Sequence, residues 1–289
     1  AGSDRQAVGL DKRHNAIVEH RLHLRLAAPL VTTSSYRLHA AGQTVEFRFD
    51  EDKLTPYLQV NQTGYVPAAP KIAFAGGWLG SAGPLPVSSR EFNVLNPQGK
   101  EVFSGPLQLR AAADPWSGND VYQADFTGLT APGVYQLKVP GLGRSDPFVI
   151  AAHVYAPVAR KVLRVFYHSR NGTAISSPWA DPAHQREGGI PDSLNGIFHA
   201  SVGKSALGNG EKAGQFKAIR RGWFDAGDYG QYMTNAAPVW FAVSSGLDLA
   251  PENFRDGGLG IPESGNGIPD IIDELEWGMD WALSMQDSD

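Results

Sequence analysis

The stretch Gly222-Trp223-Phe224-Asp225-Ala226-Gly227-Asp228-Tyr229-Gly230-Gln231-Tyr232 sets two carboxylates three residues apart, with glycines around them and aromatics on both sides. Gly227 lies between the acids and tolerates backbone conformations that a side chain resists, so a tight turn is expected there. Asp228 precedes a helical pattern, and unpaired N–H groups at a helix start favour a carboxylate. Two acids aimed at one point can hold a water molecule, one taking its proton while the other orients it. A solvated turn and helix cap would use the same two acids. Such a cap has no need of Trp223, Tyr229 and Tyr232 beside it, and this favours the chemical reading.

Outward from this stretch the pattern is helical. Pro238 is expected to kink a helix from Tyr229 to about Leu247. Pro269 occupies a favoured first helical position, and a further helix is expected to run to about Gln286. Ile272, Leu275, Met279 and Leu283 form an apolar stripe on it, with Asp273, Glu276 and Asp280 off the stripe. Trp277 and Trp281, four residues apart, are read as packing residues. Upstream, Tyr155, Val158, Val162, Val165 and Phe166 recur at helical spacing, with Pro157 in the first turn. Residues 171–222 are irregular and glycine-rich, and a stretch of that length in a compact domain is usually functional or mobile.

Before residue 151 the periodicity changes from helix to strand. Short apolar runs are expected as strands at Tyr57–Val60, Lys71–Phe74, Glu91–Leu95, Val121–Phe126, Gly133–Val139 and Pro147–Ile150. Turn formers such as Asn96-Pro97-Gln98-Gly99 and Ala131-Pro132-Gly133 separate them. Regular short strands with such turns predict a two-sheet sandwich. Trp78 and Trp116 fall on its loops and are assigned to packing against the neighbouring domain rather than to sugar stacking. From Tyr36 to Phe49 alternation predicts one strand, with Val45, Phe47 and Phe49 on one side. Residues 1–30, with His14, His20 and His23 among arginines, read as a solvated leader.

The 289 residues include 42% hydrophobic and 19% charged residues, ordinary for a globular protein with ample core. A net charge of −5 gives no basic footprint, so nucleic acid is not an expected partner. No apolar run is long enough to span a bilayer. With no cysteine, disulfides and thiol chemistry are excluded.

Four blocks now carry a resemblance. Gly222–Tyr232 is similar to the catalytic-base signature of glycoside hydrolase family 9, the inverting cellulases. Ile261-Pro262-Glu263-Ser264-Gly265-Asn266-Gly267-Ile268-Pro269-Asp270 with Asp273-Glu274, and Arg170-Asn171-Gly172-Thr173-Ala174, resemble two further stretches of that family. Val60-Asn61-Gln62-Thr63-Gly64-Tyr65 resembles the opening strand of the immunoglobulin-like module that precedes many such catalytic domains. The blocks fall in the family's order and span about residues 57–287.

The resemblance implies a multidomain chain. Residues 1–56 are a partly β lead-in and residues 57–150 an all-β immunoglobulin-like sandwich. Residues 151–289 are the first part of an all-α (α/α)6-barrel catalytic domain, only partly present, with about three of twelve helices. It implies hydrolysis of β-1,4-glycosidic bonds in cellulose or related β-glucans with inversion. Asp228 is then the base, Asp225 holds the same water, and Trp223 and Tyr232 are candidate substrate-binding aromatics. The family's proton donor is a glutamate near the end of its catalytic domain. Glu263 lies in a different motif and is not assigned that role. Two alternatives stand beside this reading: an exo-acting β-glucosidase, cellobiohydrolase or glucosaminidase on short oligosaccharides, and a non-catalytic carbohydrate-binding protein.

Some members bind zinc through Cys and His. Here Asn171 and Ala183 stand where cysteines are common, and Phe224 where many relatives have His. His184 with His199 is too little for a structural site. No cofactor is therefore expected, zinc least of all, while calcium is left open because no complete oxygen-rich loop is evident. The implied partners are a β-glucan or oligosaccharide substrate and, as a further candidate, a second polypeptide carrying the rest of the barrel. No nucleic acid and no membrane are expected. The implied location is secreted or periplasmic, although no signal-peptide pattern occurs in the chain.

Overall fold

The computed structural model describes residues 2–40, 42–188 and 219–286. The chain divides into two compact units, residues 1–155 and 156–289.

The first unit is all β. Strands β1 (Gly2–Leu10) and β2 (Ala16–His23) pair antiparallel. Strands β3 (Ser35–Ala40) and β4 (Gln43–Arg48) form a second ribbon. Both depart from the sequence reading. The leader is a hairpin, and the single strand expected over Tyr36–Phe49 is two, reversing beside Gly42 at φ 75°. Their side chains are mostly exposed, so neither face carries the alternation that marks a half-buried strand.

The remaining strands are β5 (Leu58–Gln59), β6 (Ile72–Ala75), β7 (Glu91–Leu95), β8 (Glu101–Ala111), β9 (Val121–Asp125), β10 (Gly133–Val139), β11 (Gly143–Arg144) and β12 (Phe148–Ile150). They join in the order β11-β10-β7-β8-β9-β6-β5, with β12 also on β10. The path is continuous because β8 pairs with β7 over its first half and with β9 over its second. Along β10, Tyr135, Leu137 and Val139 point inward at period two. They meet Phe92, Val94, Leu107, Phe126, Phe148 and Ile150 in one core. Each such side chain contributes about 1.5–3 kcal/mol by leaving water. Tyr65 lies edge-on to Phe126 and Phe148, at 5.1 and 5.4 Å between centroids. Its hydroxyl donates to the Ile72 carbonyl and accepts the Asn61 N–H, so no buried polar atom is stranded there. Trp116 is 95% exposed and Trp78 47%. Within its own unit Trp78 lies against Gly118.

The second unit contains α1 (Ala156–Leu163), α2 (Val165–His168), α3 (Met233–Leu249) and α4 (Asp270–Met285). Arg160 of α1 and Arg164, between α1 and α2, reach the carbonyls of Leu259 and Gly260. Asp270, fully buried, accepts hydrogen bonds from the N–H groups of Gly257, Leu259 and Gly260 and from Ser264 Oγ at 2.7–3.0 Å. One carboxylate thereby fixes the turn that feeds α4. The helix buries Ile271, Asp273, Glu274, Gly278 and Trp281, whereas Ile272, Met279 and Leu283 face outward. Asp273 thus belongs to the buried face, against the polar position expected of it. Residues 189–218, most of the long irregular stretch, and His199 within it lie outside the described residues.

Candidate active site

Three segments assemble the site. Residues 221–225 are stitched to residues 169–171 by the hydrogen bonds Phe224 N–H to Ser169 O at 2.7 Å and Asn171 N–H to Gly222 O at 2.9 Å. On the other side Gly222 N–H donates to Trp277 O, and the Trp277 indole N–H donates back to Gly222 O, both at 3.2 Å. Gly222 has φ 76°, and a Cβ there would stand 2.6 Å from Trp281 Cγ. Only glycine satisfies both the backbone sign and the close approach of α4.

From this anchored segment the chain emerges into solvent with Asp225. Its N–H donates to Gly230 O at 2.8 Å, closing the loop. Gly230 N–H in turn donates to Asp228 Oδ1 at 3.0 Å. The left-handed residue of the loop is Tyr229, at φ 58°, not Gly227, whose Cβ position is open space. Tyr229 is held in that conformation by an edge-on contact of its ring with buried Phe224, 4.9 Å between centroids. The helix also begins later than expected. Tyr232 is the residue before α3, so Asp228 caps its own turn rather than the helix. The tie to α3 runs instead through Asp225, whose Oδ1 accepts the Asn235 amide at 2.7 Å. Oδ2 of Asp225 has no hydrogen-bond donor among the described residues.

Both aspartates are exposed. Tyr232, 48% exposed, sets its hydroxyl 3.5 Å from Asp228 Oδ2. Trp223 is placed differently. Its ring packs on Phe166 and Trp240, at 5.1 and 6.4 Å, and lies over Gly278 of α4. Its indole N–H donates to Glu274 Oε2 at 3.4 Å.

Beneath the loop sits a charged cluster that the sequence did not reveal. Arg170, 1% exposed, makes a bidentate pair with Glu263 at 2.9 and 3.0 Å and contacts Glu274 at 3.1 and 3.2 Å. Its guanidinium lies 4.3 Å from the Trp277 ring centroid, and Arg221 covers that ring at 4.6 Å. Burial pushes the Glu274 carboxyl up to about 7, against the pull of Arg170. Glu263 is thus committed to Arg170. The partners lie 93 and 104 residues from Arg170 in sequence, a separation across which no local pattern operates.

Asn171, buried, donates its amide to Gln231 Oε1 at 3.3 Å. His184 approaches His168 at 5.8 Å between ring centroids. Among the described residues no group of three or more His, Cys, Asp or Glu side chains is placed to hold a metal ion. A neutral amide at position 171 also lacks the charge and softness that zinc draws from thiolate.

Residues 53–144 match the cellulase N-terminal immunoglobulin-like domain. Residues 155–289 match glycosyl hydrolase family 9. The chain belongs to glycosyl hydrolase family 9. It is 34% identical over 231 residues to a xyloglucan-specific endo-β-1,4-glucanase of Bacteroides ovatus, covering 80% of this chain and 36% of that protein. Endoglucanase D of Acetivibrio thermocellus is 32% identical over 254 residues, with 86% and 36% covered. Among solved structures, a metagenome-derived family 9 endoglucanase aligns with a TM-score of 0.68 at 34% identity, covering 80% of this chain and 41% of that one. The chain spans just over a third of the length of these curated relatives. In this family 9 chain an immunoglobulin-like domain precedes a partial family 9 domain, whose described residues include α1 to α4.

Proposed function

We propose that this chain serves the hydrolysis of β-1,4-glycosidic bonds in cellulose or a related β-glucan with inversion, in the manner of an endoglucanase. The observation that carries the reading is the pair of exposed carboxylates on a loop fixed from behind. Asp225 is oriented by Asn235 and Asp228 by Gly230 N–H, each through Oδ1, and Oδ2 of Asp228 lies beside the Tyr232 hydroxyl. Asp228 takes the proton of the attacking water, and Asp225 holds that water in line. Tyr232 offers an exposed ring to a sugar beside them. For Trp223 substrate contact is confined to ring edges left by Phe166, Trp240 and Gly278.

Inversion requires the acid about 6.5–9.5 Å from the base, with water between. We assign that acid to no residue of the chain, because Glu263 and Glu274 are engaged with Arg170. The reading includes an (α/α)6 barrel completed by further helices, in one polypeptide or two, and a secreted or periplasmic location. Among the described residues no helix is long and apolar enough to cross a membrane. No zinc is required. Elemental analysis of dialysed protein is expected to find less than one zinc per chain, and one per chain would refute this.

The stereochemical test uses a polypeptide joining residues 1–289 to the remainder of a family 9 catalytic domain. Proton NMR during glucan hydrolysis is expected to show the α-anomer first. Initial β-anomer would exclude inversion.

A further inference from the structure

We propose that Glu274 is a positioning residue for the Asp225–Asp228 loop, acting through the Trp223 indole and the Arg170 guanidinium. The proposal rests on the functional reading above only in supposing that this loop does chemistry; the coupling itself is a matter of structure.

Glu274 lies on α4 and is fully buried. A buried carboxyl costs several kcal/mol unless its oxygens are satisfied, and apolar residues of the same volume would often serve stability as well. A role beyond stability is therefore to be sought in what the carboxyl touches. It touches the two residues that face each other across the isolated bridge between 170 and 223. Oε2 accepts both Arg170 Nε–H at 3.2 Å and Trp223 Nε1–H at 3.4 Å. A single oxygen thus registers both sides of that bridge against α4.

Trp223 is two residues from Asp225, with Phe224 between them bonded to Ser169. A shift of the indole is passed to Asp225 along this short, anchored segment. Gly278, one turn further along α4, completes the seat: a Cβ there would stand 2.3 Å from the indole. The ring is thus fixed in depth by Gly278 and in rotation by Glu274. Arg170 binds Glu263 as well, so loss of the Glu274 charge leaves the guanidinium with one carboxylate partner.

The test is amide and indole hydrogen exchange by NMR on residues 1–289, without substrate, at a pH above 7 where the Glu274 carboxyl is ionised, in wild type and Glu274→Gln. The N–H groups of Asp225 and Gly230 are expected to exchange about tenfold faster in the variant, as local opening becomes easier. The Trp223 indole N–H is expected to move upfield as its acceptor loses charge. Amides in 240–246 and 279–283 should stay within about twofold, which separates local release from general loosening. Unchanged exchange at Asp225 and Gly230 overturns the proposal, as does an equal rise everywhere. Should Glu274→Gln fail to fold, Trp223→Phe carries the test by removing the indole donor while keeping an aromatic ring in the seat. Faster exchange at Asp225 and Gly230 is again expected, and unaltered exchange refutes the coupling. An inactive enzyme with intact coupling would count against the functional reading alone.

Discussion

Gly222 is the residue on which the site turns, because it meets two demands that no side chain can meet together. Its φ of 76° is costly for a residue with a Cβ, and that Cβ would stand 2.6 Å from Trp281 and closer still to the Gln231 amide. Gly222→Ala is therefore expected to destabilise the helical unit by about 2–4 kcal/mol, summing a left-handed backbone and an overpacked contact. Urea denaturation followed by tryptophan fluorescence checks it. A loss under about 0.5 kcal/mol would mean that α4 can move away freely. The two aspartates are of the opposite kind: exposed, lightly bonded and placed by their neighbours. Their place on one short loop was legible in the sequence because the motif is local. What orients them was not. Asn235 lies ten residues beyond Asp225, across a helix start that the sequence pattern set at Tyr229 rather than Met233. Gly227, the residue expected to turn the loop, leaves that conformation to Tyr229, whose aromatic contact with Phe224 makes it tolerable.

Elements were readable in proportion to how strongly one face is buried. Strands β7, β9 and β10 alternate cleanly and lie where turn residues bracket them. Strand β8 escaped notice because Gly105 and Pro106 interrupt it at the point where it changes partner from β7 to β9. The β1–β2 hairpin escaped for want of a buried face. Helix α4 was placed to within a residue, yet its buried face includes Asp270, Asp273 and Glu274, which composition alone assigns to solvent. That face has a consequence for pH. Burial raises the Glu274 carboxyl from an ordinary 4.5 to about 7, while Arg170 opposes the shift and Glu263 adds to it. Between these values the folded chain keeps a proton that the unfolded chain has released. The stability due to this group therefore falls as pH rises from 4.5 to 7 and is level above, by up to about 3 kcal/mol in all. Asp273 is raised in the same sense by burial, so the comparison must be with Glu274→Gln, which leaves Asp273 in place. Unfolding free energies of the two proteins across pH 4.5–7.5 should converge or cross as wild type loses its share. Parallel curves would contradict the assignment.

At the scale of the whole molecule, one unit has a sandwich core of aromatic and aliphatic side chains and the other, helical, unit is organised around buried charge. In the sandwich the buried Lys71 ammonium donates to the carbonyls of Pro67 and Ala69. The helical unit leaves Phe241, Met279 and Leu283 in solvent, a pattern that further helices of a barrel would cover. The chain spans just over a third of the length of its curated relatives. The most direct test joins the chain to the remainder of a family 9 catalytic domain and compares wild type with Asp228→Ala on a soluble β-1,4-glucan. The rate of hydrolysis is expected to fall at least about a hundredfold, the lower end for loss of a general base, with glucan binding retained. Hydrolysis at the wild-type rate in Asp228→Ala would contradict the account.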